Sequence, residues 1–154
     1  MNENSEFLAI LEKYPVGIGY KAIGNELSPF DLFPQVTGLI VYTIQPIASL
    51  IPQEEAAAAQ LAAQLQRAFM LIPGRRFDAT GTRHGKGAGW YDRFLSIVPP
   101  GWLRIGFCYT EQFSDKPLVR QAWDEPMDIV CIVDKVSGAV KIHETRARLT
   151  SGLY

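Results

Sequence analysis

Residues 81–95 read GTRHGKGAGWYDRFL, with glycine at 85, 87 and 89, cations at Arg83 and Lys86, and an acid followed by an arginine at Asp92 and Arg93. Glycines at alternate positions let the backbone take positive φ and bring its N–H groups close to a ligand. Arg83 and Lys86 add full charges, and a helix beginning near Trp90 turns its positive end the same way. Together these are the means of holding a phosphate chain. Five glycines between 74 and 89, beside Arg75, Arg76, Arg83 and Lys86, argue against a plain surface loop. Two standard phosphate fingerprints nevertheless fail. A Walker A loop needs four residues between its glycines and then Gly-Lys followed by Ser or Thr, whereas Gly81 and Gly85 enclose three and Lys86 is followed by Gly87. A dinucleotide fingerprint needs glycine where Trp90 stands.

The carboxylates near this stretch have two readings each. Asp92, in the first turn of the expected helix, either ligates Mg2+ travelling with a nucleotide or compensates the helix dipole and pairs with Arg93. Asp124 and Asp128, just ahead of the last core strand, are expected to bring a second carboxylate to the same end of the sheet, and Asp78 reads equally well as a turn residue. Of the aromatic pair Trp90 and Tyr91, one ring is expected in the core and the other on an adenine or pterin face. Cys108 and Cys131 lie in apolar runs and read as small core residues rather than a disulfide or metal pair.

The elements that must position these groups alternate along the chain. Ser5 is expected to cap a short first helix that Pro15 stops, and residues 15–35, rich in Pro and Gly, carry no clear element. VTGLIVYTI (36–44) reads as a buried strand, and Pro52 opens a helix through QEEAAAAQLAAQLQR with acids at its positive end and Arg67 near its negative end. AFMLIP (68–73), LRIGFCY (103–109) and DIVCIVD (128–134) read as strands, with a helix WYDRFLSIV after the glycines and another from Ser114 through LVRQAW. Ser137-Gly138 turns the last strand into a hairpin with AVKIHE. The pattern predicts one α/β domain over 1–154. Three layers are expected, with a mostly parallel central sheet, helices on both faces and an antiparallel edge strand. The glycine stretch then lies in a strand-to-helix loop at the carboxyl end of the sheet, where open α/β sheets bind ligands.

Bulk properties narrow the partners. At 154 residues, 47% hydrophobic and 20% charged, the chain has the composition of a folded globular protein, and a net charge of −1 gives no general attraction to nucleic acid or anionic membrane. The polar start MNENSEFLAILEKYP is not a secretory signal, and no apolar run spans a bilayer, so a cytoplasmic protein is expected.

The segment IPGRRFDATGTRHGKGAGWYDRFL resembles the signature of the 5-formyltetrahydrofolate cyclo-ligases (methenyltetrahydrofolate synthetases). There a strand ends in Pro-Gly, followed by Phe-Asp, Gly-x-Arg-x-Gly-x-Gly-x-Gly, an aromatic and Tyr-Asp-Arg. Pro73, Gly74, Phe77, Asp78, Gly81, Arg83, Gly85, Gly87, Gly89, Trp90, Tyr91, Asp92 and Arg93 match it position by position. IGFCYTEQF resembles the family's next strand and its Gln, and WDEPMDIVCIV its lead into the last core strand, so the likeness runs over about 68–134. It implies ATP- and Mg2+-dependent closure of 5-formyltetrahydrofolate to 5,10-methenyltetrahydrofolate, a reaction of one-carbon metabolism. By the same likeness Arg83, Lys86 and Tyr91 are catalytic. Arg83, Gly85, Lys86, Gly87, Gly89, Trp90, Tyr91 and Arg93 hold the nucleotide, and Asp92 and Asp124 hold Mg2+.

The chain departs from the family in its amino-terminal part. The family's first helix carries a Lys and Arg one turn apart that contact ATP, whereas NSEFLAILEKY has Lys13 and no Arg. Glu26 and Tyr42 are the candidates for its folate contacts. His84 stands where the family is apolar and reads as packed beside the loop or facing solvent; His143 reads as an edge-strand surface residue. Two expectations follow: a shortened, divergent cyclo-ligase that turns over, or a descendant that keeps the nucleotide or phosphate loop as a binding or regulatory domain. Self-association as a homo-oligomer is expected if the first part leaves sheet surface open.

Overall fold

Short runs of β-branched and apolar residues without polar alternation suit strands buried on both faces, and the central sheet is built from them. In this computed structural model, residues 3–20, 26–27, 34–44, 66–85, 95–96, 98–122 and 124–145 are described. In chain order the elements are α1 (Glu3–Leu11), β1 (Gly17–Tyr20), α2 (Pro34–Leu39), β2 (Ile40–Ile44), β3 (Phe69–Pro73), β4 (Arg76–Asp78), β5 (Arg83–His84), β6 (Leu103–Tyr109), β7 (Phe113–Ser114), β8 (Ile129–Val133) and β9 (Val140–Glu144).

The large sheet has the order β2-β1-β3-β6-β8-β9. β3 pairs parallel with β6 from Phe69↔Leu103 to Pro73↔Phe107, and β6 pairs parallel with β8 from Ile105↔Ile129 to Tyr109↔Val133. β9 runs antiparallel to β8 on the edge, as expected; the turn is closed by Gly138 at φ 73° and by Asp134 Oδ1, which accepts the Val136 and Ser137 N–H groups.

Alternate strand residues feed two cores. Phe69, Leu71, Ile105, Phe107 and Cys131 pack on one face against Phe7 and Leu11 of α1 and Val36 of α2. Met70, Ile72, Cys108 and Val130 pack on the other against Phe77, Leu95, Val98 and Trp102. Each buried Phe contributes about 1.5–3 kcal/mol, so these two layers carry the fold. Neither cysteine forms a disulfide, and the two are buried on opposite faces, as their apolar settings implied. The second face is covered by a small sheet of order β5-β4-β7, with helical Leu95 and Ser96 beside it. Among the described residues α1 and α2 lie on one face and the hairpin of β4 and β5 with helical Leu95 and Ser96 on the other.

Several expected elements differ. Ser5 lies inside α1 and does not cap it. The run 36–44 is divided: Pro34 opens the short α2, and only Ile40 onward pairs with β1. β1 itself, GIGY, carries too little apolar signal to be read from sequence. The helix expected from Ser114 is absent. Ser114 Oγ accepts the Lys116 N–H and donates to the Lys116 carbonyl, and the chain then runs extended. Leu118 N–H is taken by Asp78 and the Val119 carbonyl by His84, so tertiary partners replace helical ones. The helix expected from Pro52 lies outside the described residues. Among the described residues no helix is long and apolar enough to cross a membrane.

Candidate functional site

β3 ends at Pro73, and the chain turns back across the face of the sheet as β4, then returns as β5. Its far turn is shaped by Asp78. The carboxylate accepts the Thr80 and Thr82 N–H groups at 2.9 and 3.0 Å, the Thr80 hydroxyl at 2.7 Å and the Leu118 N–H at 2.7 Å. Burial works against the charge and is the largest influence, but these four donors outweigh it and hold the carboxyl below the usual carboxylate range. Gly81, at φ 86°, passes so close to Met127 that a Cβ there would stand 2.5 Å from its carbonyl oxygen. Met127 N–H donates to the Gly81 carbonyl at 2.8 Å, and Arg120 donates to Thr82 Oγ1 and the Thr80 carbonyl. The turn is therefore clamped from two sides.

That clamp fixes β5, whose two residues lead into the glycines. Arg75 N–H donates to the His84 carbonyl at 2.7 Å, and the His84 ring Nε2 lies 2.8 Å from the Val119 carbonyl. His84 thus meets the extended segment that follows β7. Arg83 returns to the carboxyl end of β3, where its Nε donates to the Pro73 carbonyl at 2.6 Å. Its Nη2 lies 3.4 Å from Glu26 Oε2; the two side chains are 14% and 2% exposed. A Cβ at Gly85 would stand 2.6 Å from Arg83 Nη2, so glycine there lets the main chain lie against the guanidinium. A planar cation held by a carbonyl and a carboxylate, with glycine main chain beside it, suits a phosphate or carboxylate ligand. It stands at the carboxyl end of a parallel sheet, where the topology leads one to look.

Of the residues singled out from sequence, the structure brings Arg83 and Gly85 together and adds Glu26. Lys86, Gly87, Gly89, Trp90, Tyr91, Asp92 and Arg93 lie outside the described residues. Tyr42 falls in β2, which is described here only by its backbone. Asp128 is not at the same end of the sheet as Arg83. Parallel strands enter from one side, and Asp128 is level with Arg104 near the start of β6; its Oδ2 accepts the Arg104 N–H at 2.9 Å. Asp124 lies on the same amino-terminal side of β8, where its Oδ2 accepts the Gln121 N–H at 2.8 Å in a tight turn. Among the described residues no group of three or more His, Cys, Asp or Glu could hold a metal ion. His143 belongs to the edge strand, with Nε2 3.1 Å from the Ala79 carbonyl and its ring against Phe113.

Sequence reasoning did not foresee the pairing of Arg83 with Glu26, which are 57 positions apart. Local spacing rules reach only a turn or two. The available signal was an acid in a segment too rich in Pro and Gly to place it.

The family model of the 5-formyltetrahydrofolate cyclo-ligases matches residues 40–133. A 5-formyltetrahydrofolate cyclo-ligase of Mycoplasma genitalium is 34% identical over 59 residues, covering 38% of this chain and 34% of that protein. One of Saccharomyces cerevisiae is 42% identical over 69 residues, covering 40% and 32%. The match thus spans about a third of the length of each of these relatives. A solved structure of a 5,10-methenyltetrahydrofolate synthetase from Mycoplasma pneumoniae superposes with a TM-score of 0.55 at 23% identity, over 82% of this chain and 80% of that one, which shows a shared fold. With well over half of its length matched by that family model, including the glycine stretch and the strands on either side of it, the chain belongs to the 5-formyltetrahydrofolate cyclo-ligase family.

Proposed function

We propose that the protein closes 5-formyltetrahydrofolate to 5,10-methenyltetrahydrofolate at the expense of ATP. The observation that carries this reading is Arg83, held at the carboxyl end of β3 by Pro73 and Glu26 with Gly85 against its guanidinium. Membership of the family and the names of the two curated relatives support it. In the proposed sequence the γ-phosphoryl group passes from ATP to the formyl oxygen, leaving ADP. N10 of the folate then attacks the formyl carbon and loses its proton, and the formyl oxygen departs within orthophosphate.

Arg83, Lys86 and the main-chain N–H groups of Gly85, Gly87 and Gly89 face the charge that develops on the transferred phosphoryl group. Tyr91 borders the folate, and Trp90 and Arg93 complete the nucleotide site. Mg2+ would neutralise the triphosphate when bound. Asp92, beside the loop, is the residue we assign to it. For Asp124, assigned to the same ion from sequence, we propose a turn role, supported by its Oδ2 accepting the Gln121 N–H. Glu26, already against Arg83, and Tyr42 are the candidates for the folate contacts.

The assay is ATP-dependent formation of methenyltetrahydrofolate, followed by its absorbance with Mg2+ present. Turnover is expected, with Asp92→Asn and Arg83→Ala each lowering kcat/KM at least about a hundredfold and Asp124→Ala leaving the Mg2+ dependence unchanged. A folded protein with no ATP-dependent product sinks the catalytic reading. Loss of Mg2+ dependence in Asp124→Ala restores that residue as a ligand. A second reading, a binding or regulatory domain, is favoured by α1, whose sequence ENSEFLAIL holds no Lys or Arg to meet a nucleotide. MgATP binding without turnover would select it.

A further inference from the structure

Thr82, Arg83 and His84 send their side chains to two sides, as successive residues of an extended chain do. Arg83 reaches the Pro73 carbonyl and Glu26 at the carboxyl end of β3. Thr82 and His84 meet instead the segment 118–120, which follows β7 without helix or strand. Three successive residues of that segment grip the hairpin. Leu118 N–H donates to Asp78 Oδ2 at 2.7 Å, and the Val119 carbonyl lies 2.8 Å from His84 Nε2. Arg120 donates through Nε to Thr82 Oγ1 at 2.9 Å and through Nη2 to the Thr80 carbonyl at 2.7 Å, with Thr80 Oγ1 a further 3.2 Å contact. The neighbours of Arg83 are thus held from the side its guanidinium does not occupy.

The hydroxyls between Arg120 and Asp78 have one possible order. An ionised carboxylate only accepts, a guanidinium only donates, and a hydroxyl has a single proton. Thr80 Oγ1 gives its proton to Asp78 Oδ1 at 2.7 Å, so in the 3.2 Å contact between the two threonine hydroxyls Thr82 is the donor. Thr82 Oγ1 is then left to accept from Arg120 Nε. The chain Arg120 to Thr82 to Thr80 to Asp78 therefore runs from an exposed cation to a buried anion, and each link polarises the next. Asp78 already orders the turn through the Thr80 and Thr82 N–H groups. What Arg120 adds is a hold on the Thr82 side chain, one residue from Arg83, and its planar fork serves two acceptors in a way that one ammonium does not.

We propose that Arg120 is a positioning residue for Arg83: through Thr82, and beside the contact of Val119 with His84, it fixes β5 so that the Arg83 guanidinium stays at the Pro73 carbonyl, ready for an anionic ligand. This rests on the reading of Arg83 as the group that meets the phosphoryl charge.

Two measurements test it. In protein labelled with 15N-arginine, the Arg83 Nε–H, identified by its loss in Arg83→Lys, is expected to exchange slowly because the Pro73 carbonyl holds it. Arg120→Ala should quicken that exchange at least about tenfold, while the amides of Ile105 and Ile129, which report global opening, quicken no more than about threefold. The melting temperature should fall by only about 2–4 °C. Thr82→Val should act like Arg120→Ala, Thr82→Ser, which keeps the hydroxyl, like the parent, and Arg120→Lys should be intermediate. In calorimetric titration MgATP should bind Arg120→Ala roughly tenfold more weakly. The same substitution made in Arg83→Ala should add no further loss, because it acts through Arg83. Parent-like Nε–H exchange in Arg120→Ala overturns the proposal, as does an equal quickening at Ile105 and Ile129. A further loss in the Arg83→Ala background also overturns it, by making Arg120 a ligand contact. If Arg83→Ala binds MgATP as the parent does, the reading of Arg83 fails by itself, and the Nε–H exchange alone decides whether Arg120 positions it.

Discussion

A carboxylate ringed by four donors, as Asp78 is, sets both the shape of a turn and its sensitivity to acid. Its folded value lies below the ordinary one near 3.8. A group of this kind adds stability that is full above the unfolded value and is lost as the pH falls through the folded one. Asp78→Asn is expected to cost roughly 1–3 kcal/mol at pH 7. The gap between parent and variant should narrow as the pH is taken below about 4. Denaturation curves of both proteins from pH 7 to pH 3 check this; a constant gap would mean that the carboxylate's charge is irrelevant. At this scale the sequence was informative about type and silent about partners. Asp78 was legible as a turn residue, but its bond to Leu118 spans 40 positions, and Arg83 with Glu26 is more distant still. Such pairs are made by the fold, so no local pattern announces them.

The hairpin of β4 and β5 is the element that carries the site, and its rigidity depends on Gly81. Positive φ together with the approach to Met127 leaves no room for a side chain. Gly81→Ala should cost at least about 1–3 kcal/mol in backbone strain, measured by urea denaturation, and should weaken MgATP binding because β5 leads directly into the glycines. Parent-like stability would show that the turn is not clamped against Met127. Strands β3, β6 and β8 were legible because each is a short apolar run bounded by turn residues, and β9 because Ser137-Gly138 announces a hairpin ahead of it. β1 was not, since two of its four residues are glycine, and the boundary between α2 and β2 falls inside one apolar run where no residue marks it. Residues 117–121 carry a helix-like pattern, but their backbone is drawn out by Asp78 and His84. Tertiary contacts there overrule local propensity.

On the scale of the whole molecule, two apolar layers on a parallel sheet make the interior closed to reagents. Burial, with a smaller push from Glu111, raises the Cys108 thiol to about 12, and Cys131 is buried on the opposite face. Neither should react with a thiol-disulfide reagent at pH 8 in native buffer, and both should react together on denaturation, because only global opening exposes the two layers at once. Rapid labelling of either cysteine in native protein would contradict this packing. The outer edge of the sheet is managed differently. Among the described strands β9 ends the large sheet; the Val140 N–H is taken by Asn4 Oδ1 of α1 at 3.1 Å, and Lys141 and Glu144 stand exposed along the strand. A second chain adding a strand there would have to displace Asn4 and strip water from two charges. The first helix, whose sequence ENSEFLAIL holds no Lys or Arg, thus serves as a guard against edge-to-edge aggregation.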